Sequence, residues 1–185
     1  MTRIYTKLGD DGSTGLLFGG RVSKADALID VVGSVDETVA ALGLARASAA
    51  DEELRASILQ IQRELFVVAA DLVASPRARD RLEPGISLVS AGMVTDVEQR
   101  IDHAIQAHPL PEVFVVPGED VASASLDLAR TVVRRAERRL VEHRRSAPSG
   151  AVINPHAAKY LNRVSDLIYA LARGAAGPGA EPASH

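Results

Sequence analysis

Residues 123–139 read S-A-S-L-D-L-A-R-T-V-V-R-R-A-E-R-R, and wound as a helix they separate into two faces. Ala122, Leu126, Ala129, Val133, Ala136 and Leu140 recur at steps of three and four, the period of an apolar stripe. Arg130, Arg134 and Arg138 step by four, which stacks three guanidiniums on one side. Like charges at that spacing repel, and Glu137, three residues after Arg134, relieves only part of the repulsion. The ladder reads either as a solvated basic face or as a seat for an anion.

The same helical period extends outward from this segment. A first helix is expected over residues 25–47, with Ser23 and Asp26 as its cap and Ile29, Val32, Val35, Val39, Leu42 and Ala45 as its stripe. Gly33 and Gly43 interrupt it and predict close helix packing. Asp36 and Glu37 stand mid-helix, where a carboxylate is ordinarily solvated. A second helix is expected over 51–74, on Leu54, Ile58, Ile61, Leu65, Val68 and Leu72, with Pro76 as its stop. Residues 75–86 read as a loop. Residues 87–107 form a third helix on Val94, Val97, Ile101 and Ile105, with Asp96 and Glu98 toward solvent. Residues 108–120, H-P-L-P-E-V-F-V-V-P-G-E-D, break the pattern, because three prolines oppose helix and the valines favour an extended run. Phe114 in this linker reads first as a core plug. Asp120 or Ser123 caps the arginine helix, and Pro148 and Gly150 end it. A fifth helix is expected over 155–173, with Asn162 and Asp166 along one side.

Five helices with short loops and no credible sheet predict an all-α, up-and-down five-helix bundle. Its parts are a glycine-rich arm (residues 1–22), the bundle (23–173) and a flexible tail (174–185). In the arm, Gly9, Gly12, Gly15, Gly19 and Gly20 alternate with Asp10, Asp11, Ser13 and Thr14. Lys7, the hydroxyls and the backbone N–H groups of such a segment can form an anion-binding concavity. It also reads as a plain turn-rich arm, and it lacks the G-x-x-x-x-G-K-[ST] phosphate loop.

Composition narrows the ligand. The 185 residues are 46% hydrophobic but only 3% aromatic, and the net charge is −3. Positive charge is therefore local, which favours a small polyanion over nucleic acid. With no cysteine, thiolate metal sites and a cysteine nucleophile are excluded. The five histidines, His103, His108, His143, His156 and His185, show no H-E-x-x-H spacing. No apolar run approaches the roughly 20 residues of a membrane helix, and the N-terminus has no signal-like apolar segment; a cytoplasmic protein is expected.

Three segments now match one family in order: T-K-L-G-D-D-G-S-T-G-L followed by G-G-R-V-S-K-A-D and G-S-V-D-E; A-R-T-V-V-R-R-A-E-R; and Y-L-N-R-V-S-D-L-I-Y-A-L-A-R. Together, over residues 3–173, they resemble the PduO-type ATP:cob(I)alamin adenosyltransferases. V-F-V-V-P-G also resembles that family's phenylalanine loop. The resemblance implies a homotrimer with sites between subunits. It implies that cob(I)alamin attacks the 5′ carbon of ATP, giving adenosylcobalamin and triphosphate. Thr6, Lys7, Gly9, Asp11, Ser13, Thr14 and Lys24 would then hold ATP from the arm, with Arg130, Arg134, Glu137 and Asn162 from the helices. Mg²⁺ would be held mainly by the ATP phosphates, with Glu137 near. Asp36 would pair with Arg130, and Phe114 would cover the lower corrin face. A cob(II)alamin reductase and an adenosylcobalamin-dependent enzyme are the implied partners. Glu119, Asp127 and Val32 depart from the family pattern. Glu119 and Asp127 leave open a non-catalytic ATP or corrinoid carrier or sensor as the alternative.

Overall fold

The computed structural model describes residues 4–147, 153–177 and 180–183; the expected helix break at Pro148 and Gly150, and His185, lie outside them. The helices are α1 (Ala27–Ser48), α2 (Glu52–Leu72), α3 (Ala91–Ala107), α4 (Val121–Ser146) and α5 (Pro155–Ala176). Asp26, Asp51, Ser90, Asp120 and Asn154 precede them, and each accepts a hydrogen bond from a first-turn N–H. These bonds satisfy donors that a helix start otherwise leaves open. At α4, Asp120 and Ser123 form a reciprocal capping box. Partial burial pushes the Asp120 carboxyl up, but the bonds from Ser123 and Ala122 outweigh it and hold it below the ordinary carboxylate value.

The arginine helix α4 is the centre of the bundle. It packs on α1 and α5, while α2 lies against α1 and α3 against α5. Both central contacts run antiparallel. Asp30 meets Arg139 at 2.9 Å and Glu37 meets Arg135 on the α1 side. Asp127 meets Arg173, and Asn162 donates to Glu137 at 2.9 Å, on the α5 side. The core between them is aliphatic: Leu42, Ile58, Ile61, Leu65, Leu126, Leu140, Leu161 and Ile168 are fully buried. Tyr160 is the buried aromatic exception. Its hydroxyl donates to Glu64 at 2.6 Å, and Arg100 reaches the same carboxylate at 2.9 Å, so α2, α3 and α5 share one polar node. Burial, and then the Glu64 charge, push the Tyr160 phenol well above its usual value, so it stays a neutral donor.

Several local expectations are corrected. Ser23 does not cap α1; it ends a short strand, and Asp26 caps instead. The buried face of α1 is Val31, Ser34, Val35, Thr38, Leu42 and Ala45. Ser34 and Thr38 can enter the core because their hydroxyls bond back to the carbonyls of Asp30 and Ser34, at 2.9 and 2.8 Å. Ile29, Val32 and Val39 instead line an outer groove with Phe66 and Ala69. Gly33 faces open space, so only Gly43, where an added Cβ would lie 3.4 Å from the Gln62 amide nitrogen, supports close packing. A two-stranded antiparallel ribbon exists, β1 (Ser13–Gly15) with β2 (Arg21–Ser23). A 3-10 helix, Pro76–Arg81, fills part of the expected loop. α3 begins at Ala91, not residue 87. Glu98 is engaged by Arg163 at 2.9 Å and is not simply solvated. α5 runs to Ala176, three residues into the expected tail.

Candidate functional site

The arginines of α4 form two rows with different fates. Arg135 and Arg139 turn to α1 and are neutralised there by Glu37 and Asp30. Arg130, Arg134 and Arg138 form no ion pair with a carboxylate among the described residues, and Arg134 and Arg138 are exposed. The second row borders α5. The Arg130 guanidinium lies 5.1 Å over the Tyr169 ring, and one turn beyond Arg134 the Asn162 amide donates to Glu137. Arg130, Arg134, Glu137 and Asn162, expected together from the family resemblance, therefore share one seam. It offers two cations that form no ion pair among the described residues and a hydrogen-bonding amide, the demands of a phosphate-bearing ligand.

The arm sits elsewhere. Leu17 exchanges backbone hydrogen bonds with Val73 and Ser75, both 2.9 Å, which pins the ribbon to the end of α2. Asp11 accepts from the amide and hydroxyl of Ser13, at 2.9 and 2.7 Å. Those bonds, with Arg21 nearby, hold its carboxyl below the ordinary value. Lys24 donates to the carbonyl of Gly9 at 2.8 Å. A Cβ on Gly9 would come within 3.0 Å of the Lys24 amine, so glycine lets the lysine close the loop. Lys7 adopts φ +61, within the left-handed region. Thr6, Lys7, Gly9, Asp11, Ser13, Thr14 and Lys24 thus belong to one turn-rich unit. Among the described residues no hydrogen bond or ion pair links it to α4 or α5 of the same chain.

Asp36 does not meet Arg130 within the chain. It is exposed, on the groove with Val32 and Phe66, on the side of α1 away from α4. Phe114 is no core plug: 88% of it is exposed. Its loop instead forms an isolated antiparallel bridge, Val115 to Pro182, with the chain's own C-terminal segment. Val116 N–H donates to Glu181 at 2.8 Å, and Ala183 N–H donates to the Phe114 carbonyl at 2.7 Å. The expected flexible tail is thus paired at residues 181–183.

Tyr169 and Arg173 are not marked by the sequence reading. Tyr169 lies seven residues after Asn162, two helical turns along the same side. Arg173, only 5% exposed, bonds Asp127 and also approaches the Tyr169 ring, at 5.4 Å. Burial pushes the Asp127 carboxyl up, while Arg173 and Arg130 pull it back. The departure at Asp127 therefore has a dedicated cation in this chain. A cavity of about 800 Å³ at the bundle end, lined by Leu54, Arg100, His103, His108 and Leu171, contains none of the ligand-binding residues expected from sequence. No cluster of three or more His, Cys, Asp or Glu able to hold a metal occurs among the described residues. No described helix is long and apolar enough to cross a membrane.

Comparison with known proteins gives a consistent result. A profile of the family "Cobalamin adenosyltransferase" matches residues 4–175. The corrinoid adenosyltransferase of Citrobacter freundii is 38% identical over 174 residues, covering 94% of each chain. The corrinoid adenosyltransferase PduO of Salmonella typhimurium is 39% identical over 92% of this chain but is longer; the match spans 48% of it. Among solved structures, a phenylalanine-to-alanine variant of the PduO-type ATP:corrinoid adenosyltransferase from Lactobacillus reuteri, complexed with cobalamin and ATP, superimposes with a TM-score of 0.85. It is 28% identical, over 99% of this chain and 100% of that one.

Proposed function

The chain belongs to the cobalamin adenosyltransferase family and is a corrinoid adenosyltransferase, and we propose that the α4–α5 seam is the floor on which it binds ATP. The supporting observation is the split of the α4 arginines: one row is paired to α1, while the other forms no ion pair among the described residues. The cobalt of cob(I)alamin donates its electron pair to the 5′ carbon of ATP, the C–O bond breaks, and triphosphate leaves with that bond pair. No protein nucleophile is required. The protein's task is to orient the nucleotide and stabilise the charge that develops on the leaving group. Arg130 and Arg134 lie against the phosphates, and Asn162 and Glu137 fix the nucleotide from α5 and α4.

Mg²⁺ would fit this seam as a phosphate-held ion, with Glu137 the seam carboxylate that would serve it. Such an ion keeps most of its waters and needs no protein cage. It would supply charge neutralisation to the leaving triphosphate.

Among the described residues no hydrogen bond or ion pair joins the arm to the ladder of the same chain, and on that ground the arm that completes the site is assigned to a second copy. The groove of Ile29, Val32, Val39 and the 61%-exposed Phe66 on the outside of α1 and α2 supports such an assembly. We assign it to a homotrimer in which Asp36 pairs with Arg130 of a neighbour. The need for ATP and for a cob(II)alamin reductase fits a cytoplasmic reaction, with an adenosylcobalamin-dependent enzyme as consumer. Glu119 and Asp127 each have a structural partner in this chain, so neither favours the carrier or sensor reading.

The test is to mix the protein with ATP, Mg²⁺ and chemically reduced cobalamin and follow the absorption spectrum. Adenosylcobalamin should accumulate catalytically; binding without turnover would leave the carrier. Phe114→Ala should separate two steps. Covering the lower corrin face removes an axial donor and raises the cobalt potential, so activity starting from cob(II)alamin should fall about 10²-fold, the scale of losing one oriented catalytic group. Activity from preformed cob(I)alamin should fall far less. Equal losses in the two assays would remove Phe114 from the lower face.

A further inference from the structure

Phe114 presents an unusual problem of support. Its ring is 88% exposed, so side-chain packing does not set its direction; the backbone must. Yet residues 109–119 carry three prolines, and Gly118 has φ +137. Among the described residues, the backbone hydrogen bonds of this loop go to one place. Val116 N–H donates to the carbonyl of Glu181 at 2.8 Å, and the Phe114 carbonyl accepts from Ala183 N–H at 2.7 Å. Between them, Val115 pairs antiparallel with Pro182. Proline is tolerated there because its missing N–H is not one the ladder uses. The segment is anchored at one end by Glu119, whose Oε1 accepts from Glu181 N–H at 3.3 Å.

This pairing fixes which way Phe114 points. Alternate residues of a strand face opposite sides. Val115 is half-buried, while Phe114 and Val116 are exposed together on the other side. A slip of one residue would turn Phe114 onto the opposite face.

We propose that residues 181–183 are a positioning strand for Phe114, and that Glu119 is the positioning residue that seats it. The inference rests on the adenosyltransferase reading and on Phe114 acting at the lower corrin face. The segment touches no substrate; it removes the freedom of the loop before the corrinoid arrives, and so lowers the cost of placing the ring. Glu119, a departure from the family pattern, then acquires a function particular to this chain.

The experiment uses the full chain, a chain ending at Ala180, and Ala183→Pro, which deletes the single N–H given to Phe114. Four-coordinate cob(II)alamin formed in the presence of ATP is read by electron paramagnetic resonance. Turnover is measured from cob(II)alamin and from preformed cob(I)alamin. A net backbone hydrogen bond changes an equilibrium about fivefold. Truncation should therefore cut the four-coordinate signal and cob(II)alamin turnover by about tenfold or more, and Ala183→Pro by about fivefold. Turnover from cob(I)alamin and the KM for ATP should stay within about twofold in both variants, less than the loss of one such bond. Glu119→Ala should resemble truncation, and Glu119→Gln, which keeps an accepting oxygen, should restore the signal. An unchanged four-coordinate signal in the truncated chain overturns the proposal. So does an equal loss in both turnover assays, which would assign the segment to general folding. Failure of the full chain to make adenosylcobalamin from cob(I)alamin would instead overturn the reading on which the proposal rests.

Discussion

Arg134→Ala should lower kcat/KM for ATP by about 10²–10³-fold, the usual loss when one preorganised donor to a developing charge is removed. Arg134 is exposed and has no ion-pair partner among the described residues, so the substitution breaks no contact that holds the bundle. Removing it even relieves repulsion from Arg130 and Arg138. Oligomeric mass and thermal midpoint without nucleotide should therefore be unchanged or slightly raised. The thermal shift given by ATP should shrink, because ligand stabilisation follows affinity for the folded state. Arg135→Ala is the matched control on the next residue. It loses a half-exposed pair with Glu37, worth at most about 1 kcal/mol, and should keep nearly full turnover. Equal losses at 134 and 135 would show that net charge, not the unpaired row, serves the nucleotide. Arg134→Lys should recover only part of the activity, since an ammonium cannot reproduce the planar fork that grips two phosphate oxygens.

Only half of that contrast is legible in the amino-acid sequence. The step of four in Arg130, Arg134 and Arg138 marks one row, but it cannot say that Arg135 and Arg139 are already paired to α1. That depends on which face of α1 meets α4, and the apolar pattern misreads it. Ile29, Val32 and Val39 look like core, whereas Ser34 and Thr38 occupy the core because their hydroxyls are satisfied by their own helix. A pattern of hydrophobic residues cannot separate a core face from an intersubunit face, since both are apolar. The strongly periodic α2 and the proline-bounded α5 are legible, because period and boundary signals agree there. Asn162 and Glu137 are nameable only through family resemblance; their hydrogen bond across two helices has no local signal. The pairing of residues 114–116 with 181–183 joins segments more than sixty residues apart, one of them rich in glycine and proline. Composition there suggests looseness and says nothing about a partner strand.

Arg173→Leu should be strongly destabilising. Asp127 is 8% exposed and Arg173 5%, so the change leaves a carboxylate buried without its cation. Breaking a buried pair from one side costs about 3–5 kcal/mol; for a domain of this size that is a fall of roughly 10 °C in Tm. Removing both charges should behave differently. The pair is under-satisfied: Nε and Nη1 of Arg173 have no protein partner among the described residues. A buried pair with open donors recovers little of its desolvation cost. Asp127→Leu with Arg173→Met should therefore bring Tm back to within a few degrees of the parent, on the order of 1 kcal/mol or better. The double variant also isolates function from stability. Arg130 shares the Tyr169 ring with Arg173 and feels the Asp127 charge, so its guanidinium is aimed partly by that pair. A double variant with recovered Tm but raised KM for ATP would mean that Asp127 and Arg173 are kept for aiming Arg130. Recovery of both would leave them a purely structural pair, and a Tm as low as that of Arg173→Leu alone would show that the two charges together stabilise the fold.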